Sequence, residues 1–487
     1  MMRWRQLLLP FAAGALQVAA FAPFGWWPLG LLSLAVLFAC WRDVSPREAA
    51  WRGFAWGLGC FIVGVSWVYV SMHDVGGMPA AIAALMTLLF AIYLALYPAL
   101  SGWMAAKLRG GVFITAAAWT LGEWLRGLVA TGFPWLAVGY AQTNSPLAGY
   151  APLLGVYGVG FAAAVIAAVV ASWWNVRRSL SLILALSVAL VGFGLRTVAW
   201  TQPQGVPFSV SLLQGNIPQS LKWDPARLDL SLRAYADLAR EHPAQLLVLP
   251  ETAIPLMFDE IDRDYLRGLT DGKRNVLLGA VVGVMDGDRV GYANGAVMLT
   301  PQAVPEGAYF KHHLVPFGEF TPKGFRWFLD LMHIPMSGFT SGAEMQKALH
   351  FDGQTLMPNI CYEDLFGEEL IRSVPQATVL VNLSNTAWFG HSLAQPQHLQ
   401  IAQMRAIETG RMMLRATNTG MTAAIAPDGK VIASLPPFTR DALTAQAQGY
   451  TGETPYVRIG NAGVLLLVLC LLVFAPYRNR QVLRRSP

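Results

Sequence analysis

Charge is what this chain has little of. Asp, Glu, Lys and Arg make up 13% of its 487 residues, against 54% hydrophobic, and the mean hydropathy is +0.43. An average soluble protein carries about a quarter charged residues, so a wholly water-soluble globule is excluded and much of the chain must lie in lipid. No long polar or charged tract accompanies the 30 prolines, which excludes a disordered or tail-like protein. There is no clear internal repeat, no Walker-type phosphate loop and no zinc signature. Cysteine is scarce too, with four in all. Cys40, Cys60 and Cys470 fall inside apolar runs, where a thiol serves as small apolar filler. Cys361 stands alone in a more polar region, with no evident partner for a structural disulfide. It is either inert or there for its reactivity.

What the chain does have is long apolar runs. A bilayer crossing takes about 18 to 20 apolar residues, sometimes fewer where the run is tilted or interrupted. Seven such runs precede residue 200, at 7–24, 26–40, 54–70, 78–100, 112–125, 156–174 and 180–200, and an eighth lies at 460–476. Between them charged residues return and short strand-like and helix-like patterns alternate, with a helix-like pattern over 397–417 and a linker-like stretch over 439–457. The expected organisation is a seven-helix membrane domain over 1–200, a folded α/β domain over 201–459, and a last span with a basic tail over 460–487. The first run could be read as a cleaved signal, but its removal would invert the loop-charge pattern, so it reads as an uncleaved helix.

The basic residues give orientation. Arg3 and Arg5 precede the first run; Arg42, Arg47 and Arg52 lie between the second and third, Lys107 and Arg109 between the fourth and fifth, Arg177 and Arg178 between the sixth and seventh. The intervening loops around Gly25, 71–77 and 127–155 carry no Lys or Arg, with Arg126 at the border of the last. Basic loops stay cytoplasmic, so both termini are expected inside and the α/β domain outside. The net charge of +6 is then a topology signal, and nothing resembles a nucleic-acid footprint.

Within 201–459, ionisable residues at strand ends are the candidates for chemistry. The run Gln245-Leu-Leu-Val-Leu-Pro250 leads straight into Glu251. A carboxylate after so apolar a strand is either a helix-start acid or a poorly solvated base whose pKa burial would raise. Lys311, in Tyr309-Phe-Lys-His-His-Leu-Val-Pro-Phe-Gly-Glu319, is either a surface lysine or a buried cation among aromatic and branched neighbours. Cys361 falls between a strand over 355–360 and a helix expected over 363–373, where a helix start would favour thiolate. His312 and His313 invite a metal reading, but neighbouring side chains in a strand point to opposite faces, so no metal is expected.

Taken in order, Pro250-Glu-Thr-Ala-Ile-Pro255, Lys311 to Glu319, Asn359-Ile-Cys-Tyr-Glu-Asp364 and Ala387-Trp-Phe-Gly390 resemble the Glu-Lys-Cys triad motifs of the nitrilase, or carbon-nitrogen hydrolase, superfamily. Together with Glu123-Trp-Leu-Arg-Gly127 and Gly132-Phe-Pro-Trp135 they are similar to its membrane-bound branch, the apolipoprotein N-acyltransferase family. The chain departs from that pattern at Leu249, before the first motif, and at Asn385-Thr386.

The resemblance implies an α-β-β-α sandwich carried on an eight-helix membrane bundle, set in the bacterial inner membrane with the sandwich on the periplasmic side. It implies a phospholipid acyl donor of the phosphatidylethanolamine type, a diacylglyceryl-cysteine N-terminus of an apolipoprotein as acceptor, and no cofactor. Cys361 would carry the acyl group as a thioester, Glu251 would move protons and Lys311 would stabilise the oxyanion. Glu319, Tyr362, Glu363 and Trp223 would line or support the site, Trp223 being either a lipid contact or a packed aromatic. The aromatic and Met-rich segment 324–339, with Trp327 and Phe328, is either a mobile flap toward the lipid surface or an ordinary docked helix. Two other readings stay open: a membrane-tethered amidase in which water replaces the amine, and a transporter or sensor with a non-catalytic exported module, for which Glu123 is the best intramembrane charge.

Overall fold

The structure, a computed structural model, describes residues 4–485 apart from 110, 173–177, 223–224, 287–288 and 322–337. It divides into two compact units. One holds Met1–Tyr69, Pro79–Ala199 and Thr454–Pro487; the other holds Trp200–Glu453 together with the early segment Val70–Met78.

The first unit is helical. Among the described residues, Ala80–Leu108 and Pro146–Ala171 are long and apolar enough to cross a membrane. Pro46–Gly64 with Trp67–Val75, bent by 47°, makes a third if counted as one span. Trp27–Cys40, Ser179–Leu195 and Ala462–Ala475 are shorter apolar helices, and the first expected run forms Arg5–Gln17 before it tightens into a 3₁₀ turn. Ser45 and Glu48 start the third helix with a reciprocal capping box, each side chain satisfying the other's backbone N–H.

The motif residues of this unit tie its irregular loop to a helix. Glu123 Oε1 accepts the Val138 N–H at 2.8 Å, and Arg126 Nη1 donates to the carbonyls of Phe133 and Trp135, each at 2.6 Å. Non-helical backbone among apolar helices needs such partners, because no water is there to supply them. Glu123 is therefore engaged in holding the loop, and the transporter reading loses the charge it relied on.

The second unit is built on two six-stranded sheets. The first, in spatial order β12-β1-β2-β3-β4-β5, contains β1 (Gln202–Gln214), β2 (Leu246–Val248), β3 (Asn275–Asp286), β4 (Arg289–Leu299), β5 (Pro305–Phe310) and β12 (Asp441–Thr451). The second, in order β11-β10-β9-β8-β7-β6, contains β6 (Leu349–Phe351), β7 (Gln354–Ile360), β8 (Val379–Ser384), β9 (Met412–Thr417), β10 (Ala423–Ile425) and β11 (Val431–Ser434). Each has a parallel centre, β1-β2-β3 and β7-β8-β9, with antiparallel strands outside. Every residue of β8 and β9 is buried, as parallel strands covered on both faces require.

Helices Leu228–Glu241 and Arg263–Thr270 close the outer face of the first sheet. Ala234, Tyr235, Leu238, Leu266 and Leu269 pack with Leu213, Leu247, Val276 and Leu278 in one buried cluster. Helix Ala394–Thr409 lies against the second sheet. The expected α/β sandwich is thus present, with three local differences. The helix-like pattern over 397–417 is a helix and a strand: Gly410, at φ +61°, ends the helix and β9 follows. The segment 439–457, expected as a linker, contains β12, which pairs antiparallel along β1 from Gln202↔Thr451 to Gln214↔Asp441. Its alternating small and polar residues, Ala442-Leu-Thr-Ala-Gln-Ala, hide a strand from a search for apolar runs. Finally, the helix expected over 363–373 is broken into a 3₁₀ turn at Cys361–Leu365, one α turn at Gly367–Leu370 and a further 3₁₀ turn at Val374–Gln376.

Val70–Met78 belongs to this unit through specific contacts. Ser71 Oγ donates to the Trp388 carbonyl at 2.7 Å, and Val70 stands where a Cβ on Gly390 would meet its Cγ1 at 2.7 Å. The Ala387–Gly390 motif is therefore seated on a piece of chain contributed from far upstream.

Candidate active site

All the candidate chemistry sits just beyond the carboxyl ends of strands. Glu251 follows β2 by three residues, Lys311 follows β5 directly, Cys361 follows β7 directly and Asn385 follows β8. That is where α/β sheets place ligands, since the loops there are free of the ladder. The turns are sharp: Thr252 (φ +45°), Phe317 (φ +64°) and Cys361 (φ +53°) all adopt the left-handed conformation. Such residues cost of order 1–3 kcal/mol each and persist where surrounding structure imposes them. Close approach of β3 helps: a Cβ at Gly279 would come within 2.2 Å of the Pro250 carbonyl oxygen. Glycine lets the chain carrying Glu251 lie against the sheet.

Lys311 is 1% exposed and lies between two carboxylates. Its Nζ donates to Glu319 Oε1 at 2.9 Å and to Glu251 Oε1 at 3.4 Å. Asn294 of β4 donates its amide to the same two oxygens, at 2.7 Å to Glu251 and 3.0 Å to Glu319. The second oxygen of Glu251 accepts the Asn385 N–H at 2.7 Å, and that of Glu319 the Val315 N–H at 2.9 Å. The departure at Asn385 thus leaves this contact intact, because the backbone makes it.

These partners fix the protonation states. Burial pushes Glu251 upward, but Lys311, the Asn385 N–H, Lys222 and Asn294 outweigh it, and its pKa falls below the usual carboxylate value. The expected upward shift is therefore reversed: burial was legible from the apolar strand, whereas the compensating cations and donors come from distant segments. Lys311, pushed down by burial, is carried well above the ordinary lysine value by the Glu319 and Glu251 carboxylates. Cys361, partly exposed, is held well above the usual thiol value by burial and by Glu251, with Lys311 opposing. The helix start expected to favour its thiolate is a short 3₁₀ turn, too short to supply that charge. At rest the site holds a neutral thiol, a carboxylate and an ammonium.

Glu363 acts as a clasp. Its Oε1 accepts the Tyr309 hydroxyl at 2.9 Å and the N–H groups of His312 and His313 at 2.6 and 3.2 Å, while Oε2 accepts the Ile360 N–H at 2.6 Å. It joins the chain that carries Lys311 to the chain that carries Cys361. Tyr362 packs its ring on His313 and Phe366, beside this clasp. His312 and His313 lie past the end of β5, so the strand-alternation argument does not apply to them; Nδ1 of one meets the Gly342 carbonyl and Nδ1 of the other Glu369. Trp223, Trp327 and Phe328 lie outside the described residues, as does 324–337 of the flap segment; its end, Gly338 and Phe339, donates two N–H groups to the Glu319 carbonyl.

Two participants were not legible in advance. Asn294 sits in an ordinary-looking strand and gives no signal. Lys222, beside Trp223 in the sequence, is 3% exposed and donates to the Glu251 carbonyl at 3.3 Å. Burial pulls its pKa down to about 8, with Glu251 and Cys361 pulling it back up.

A carboxylate, an ammonium and a thiol gathered at the strand ends of an α/β sandwich define the carbon-nitrogen hydrolase class, and the Carbon-nitrogen hydrolase family model matches residues 209–456. The model of the apolipoprotein N-acyltransferase N-terminal domain matches residues 13–169. The apolipoprotein N-acyltransferase of Nitrosomonas europaea is 47% identical over 480 residues, covering 96% of each chain. That of Ralstonia nicotianae is 46% identical over 489 residues, covering 97% of this chain and 94% of its own. Among solved structures, an amidase of the nitrilase superfamily from Nesterenkonia is 18% identical, with a TM-score of 0.39 over 54% of this chain and 97% of its own. The chain belongs to the apolipoprotein N-acyltransferase family.

Proposed function

We propose that this chain transfers a fatty acyl group from a membrane phospholipid to the N-terminal amine of a diacylglyceryl-cysteine apolipoprotein, through a thioester on Cys361. The observation that carries this reading is the buried cluster of Glu251, Lys311 and Glu319 acting on a thiol held in a left-handed turn. Because Glu251 sits low and Cys361 high, a free thiolate is disfavoured at rest, and the thiol loses its proton to Glu251 as it attacks the donor ester. Negative charge then develops on the ester oxygen, where the Lys311 ammonium stabilises it; losing one such group typically costs roughly 3 to 4 kcal/mol of barrier. Collapse breaks the C–O bond, and Glu251 returns the proton to the departing lysophospholipid oxygen. In the second half the amine attacks the thioester carbonyl and gives its proton to Glu251. The C–S bond breaks, and the sulfur recovers a proton as the amide forms.

Glu319 orients Lys311, and Glu363 keeps the Lys311 and Cys361 segments together. The apolar helices carry the sandwich at a lipid surface, with eight spans, both termini cytoplasmic and the catalytic unit outside; the loop-charge alternation supports this orientation. The intact mass of the purified enzyme after exposure to phospholipid tests the mechanism. A fatty-acyl increment on the wild type, absent from Cys361→Ala and removed by hydroxylamine, is expected. Turnover without that increment, or ammonia release as the sole reaction, would reject it.

A further inference from the structure

Behind the nucleophile the second sheet carries a polar rung. Asn359 of β7, Asn382 of β8 and Arg415 of β9 stand at one register across three parallel strands, and all are buried. Strands covered on both faces are ordinarily apolar throughout, so three polar side chains at one level call for a reason.

Their hydrogen bonds lead to Cys361. Asn382 Nδ2 donates to Asn359 Oδ1 at 2.7 Å and to the Cys361 carbonyl at 3.3 Å, while its Oδ1 accepts from Arg415 Nη1 at 2.8 Å and Ser384 Oγ at 2.6 Å. Arg415 Nη1 also reaches Asp364 Oδ2 at 3.0 Å, and Nη2 reaches His398 Nδ1 at 2.8 Å. A guanidinium has no acceptor, so His398 Nδ1 must accept and the ring proton sits on Nε2. That Nε2 lies 2.8 Å from Asp364 Oδ1, and the ring also engages the Cys361 backbone. Burial and the Arg415 charge hold His398 below the usual imidazole value, in keeping with this neutral tautomer.

We propose that His398, Asp364 and Arg415 are positioning residues that clamp the Cys361 carbonyl, through His398 and Asn382, and thereby hold the nucleophile in its left-handed turn. This rests on the reading of Cys361 as the nucleophile. A trans peptide points its C=O and the following N–H in opposite directions. Clamping the Cys361 carbonyl from behind therefore also fixes the Tyr362 N–H on the opposite side. One network then sets both the sulfur and a backbone donor for the oxyanion.

The test uses the full-length enzyme in detergent. His398→Leu removes the donor and the acceptor; His398→Gln keeps one of each. Steady-state kinetics with phospholipid donor and a diacylglyceryl peptide are measured with thermal melting and the rate of Cys361 alkylation by iodoacetamide. Misplacing a reacting group by about 1 Å lowers rate on the order of a hundredfold. H398L is expected to lose about that much kcat with KM for donor within about threefold, H398Q to regain at least about tenfold of it, and Cys361 alkylation to change in H398L alone. If H398L does not fold, Asn382→Ser, which withdraws the amide from the Cys361 carbonyl, is read by the same limits. A folded variant with kcat within about threefold of wild type, or a loss that H398Q does not relieve, overturns the clamp. Wild-type enzyme that forms no acyl adduct on Cys361 would instead refute the nucleophile assignment.

Discussion

Replacing Lys311 by Met separates the electrostatic role of this residue from its structural one. The ammonium lies 2.9 Å from Glu319 and 3.4 Å from Glu251, in a site where Lys311 is 1% exposed. Without it two buried carboxylates face each other around one Asn294 amide. Removing one partner of a buried ion pair costs about 3–5 kcal/mol, which for a unit of this size lowers the melting temperature by roughly 6–20 °C. Loss of the oxyanion partner adds a fall in acyl transfer of about 10² to 10³. The pH response follows. With the cation gone, burial raises the Glu251 pKa above its unfolded value. A group so raised contributes stability below the unfolded pKa and loses it as pH rises through the folded one. K311M should therefore melt higher at pH 5 than at pH 7. Wild-type Glu251, held low, contributes stability above the unfolded carboxylate value and loses it only on stronger acidification. Adding Glu319→Gln to K311M removes one of the opposed charges, so most of the melting temperature should return while activity does not. Differential scanning of the detergent-solubilised enzyme and transfer to a diacylglyceryl peptide measure the two effects. Wild-type transfer by K311M, or recovery of transfer in the double variant, would refute the assignment of Lys311.

Two further predictions follow from neighbours of the cluster. Lys222→Met removes a buried cation, so melting temperature should hold or rise while acyl-enzyme formation slows about tenfold, roughly 1.4 kcal/mol of barrier. Because the Lys222 pKa is depressed to about 8, its contribution to stability is full above the unfolded value near 10.5 and lost as pH falls through about 8. Wild-type acylation should show a falling limb near pH 8 that Lys222→Arg abolishes; persistence of the limb in the arginine variant would exclude Lys222 as its source. Gly279→Ala forces the Pro250 carbonyl away from a Cβ built at 2.2 Å, which should cost about 1–3 kcal/mol and reduce acylation with it. Unchanged melting would show that the approach is not tight.

Glu251 and Cys361 were readable because each lies at the end of a short apolar run, a local pattern that needs no knowledge of neighbours. Glu251 after Leu246–Val248 and Cys361 after Gln354–Ile360 are found this way. The charge state of Glu251 was not readable, because Lys222, Asn294 and Asn385 reach it from three other parts of the chain. The same holds after Cys361. Leu365, Phe366 and Leu370 have helical spacing, but Glu363 turns its carboxylate back onto Ile360 and across to His312, and the helix gives way to a 3₁₀ turn. β12 was hidden for a different reason. At the edge of its sheet, with small and polar residues, it owes its existence to pairing with β1 rather than to its own pattern.

The upstream stretch Val70–Met78, folded with the catalytic unit, bears on anyone wishing to make this enzyme soluble. A fragment trimmed to Trp200–Glu453 would look whole on a linear map yet be missing a stitch: the hydroxyl of Ser71 under Trp388 and the methyls of Val70 beside Gly390. Such a fragment needs the lost nonapeptide grafted back or supplied in trans before its idleness can be blamed on the absence of lipid.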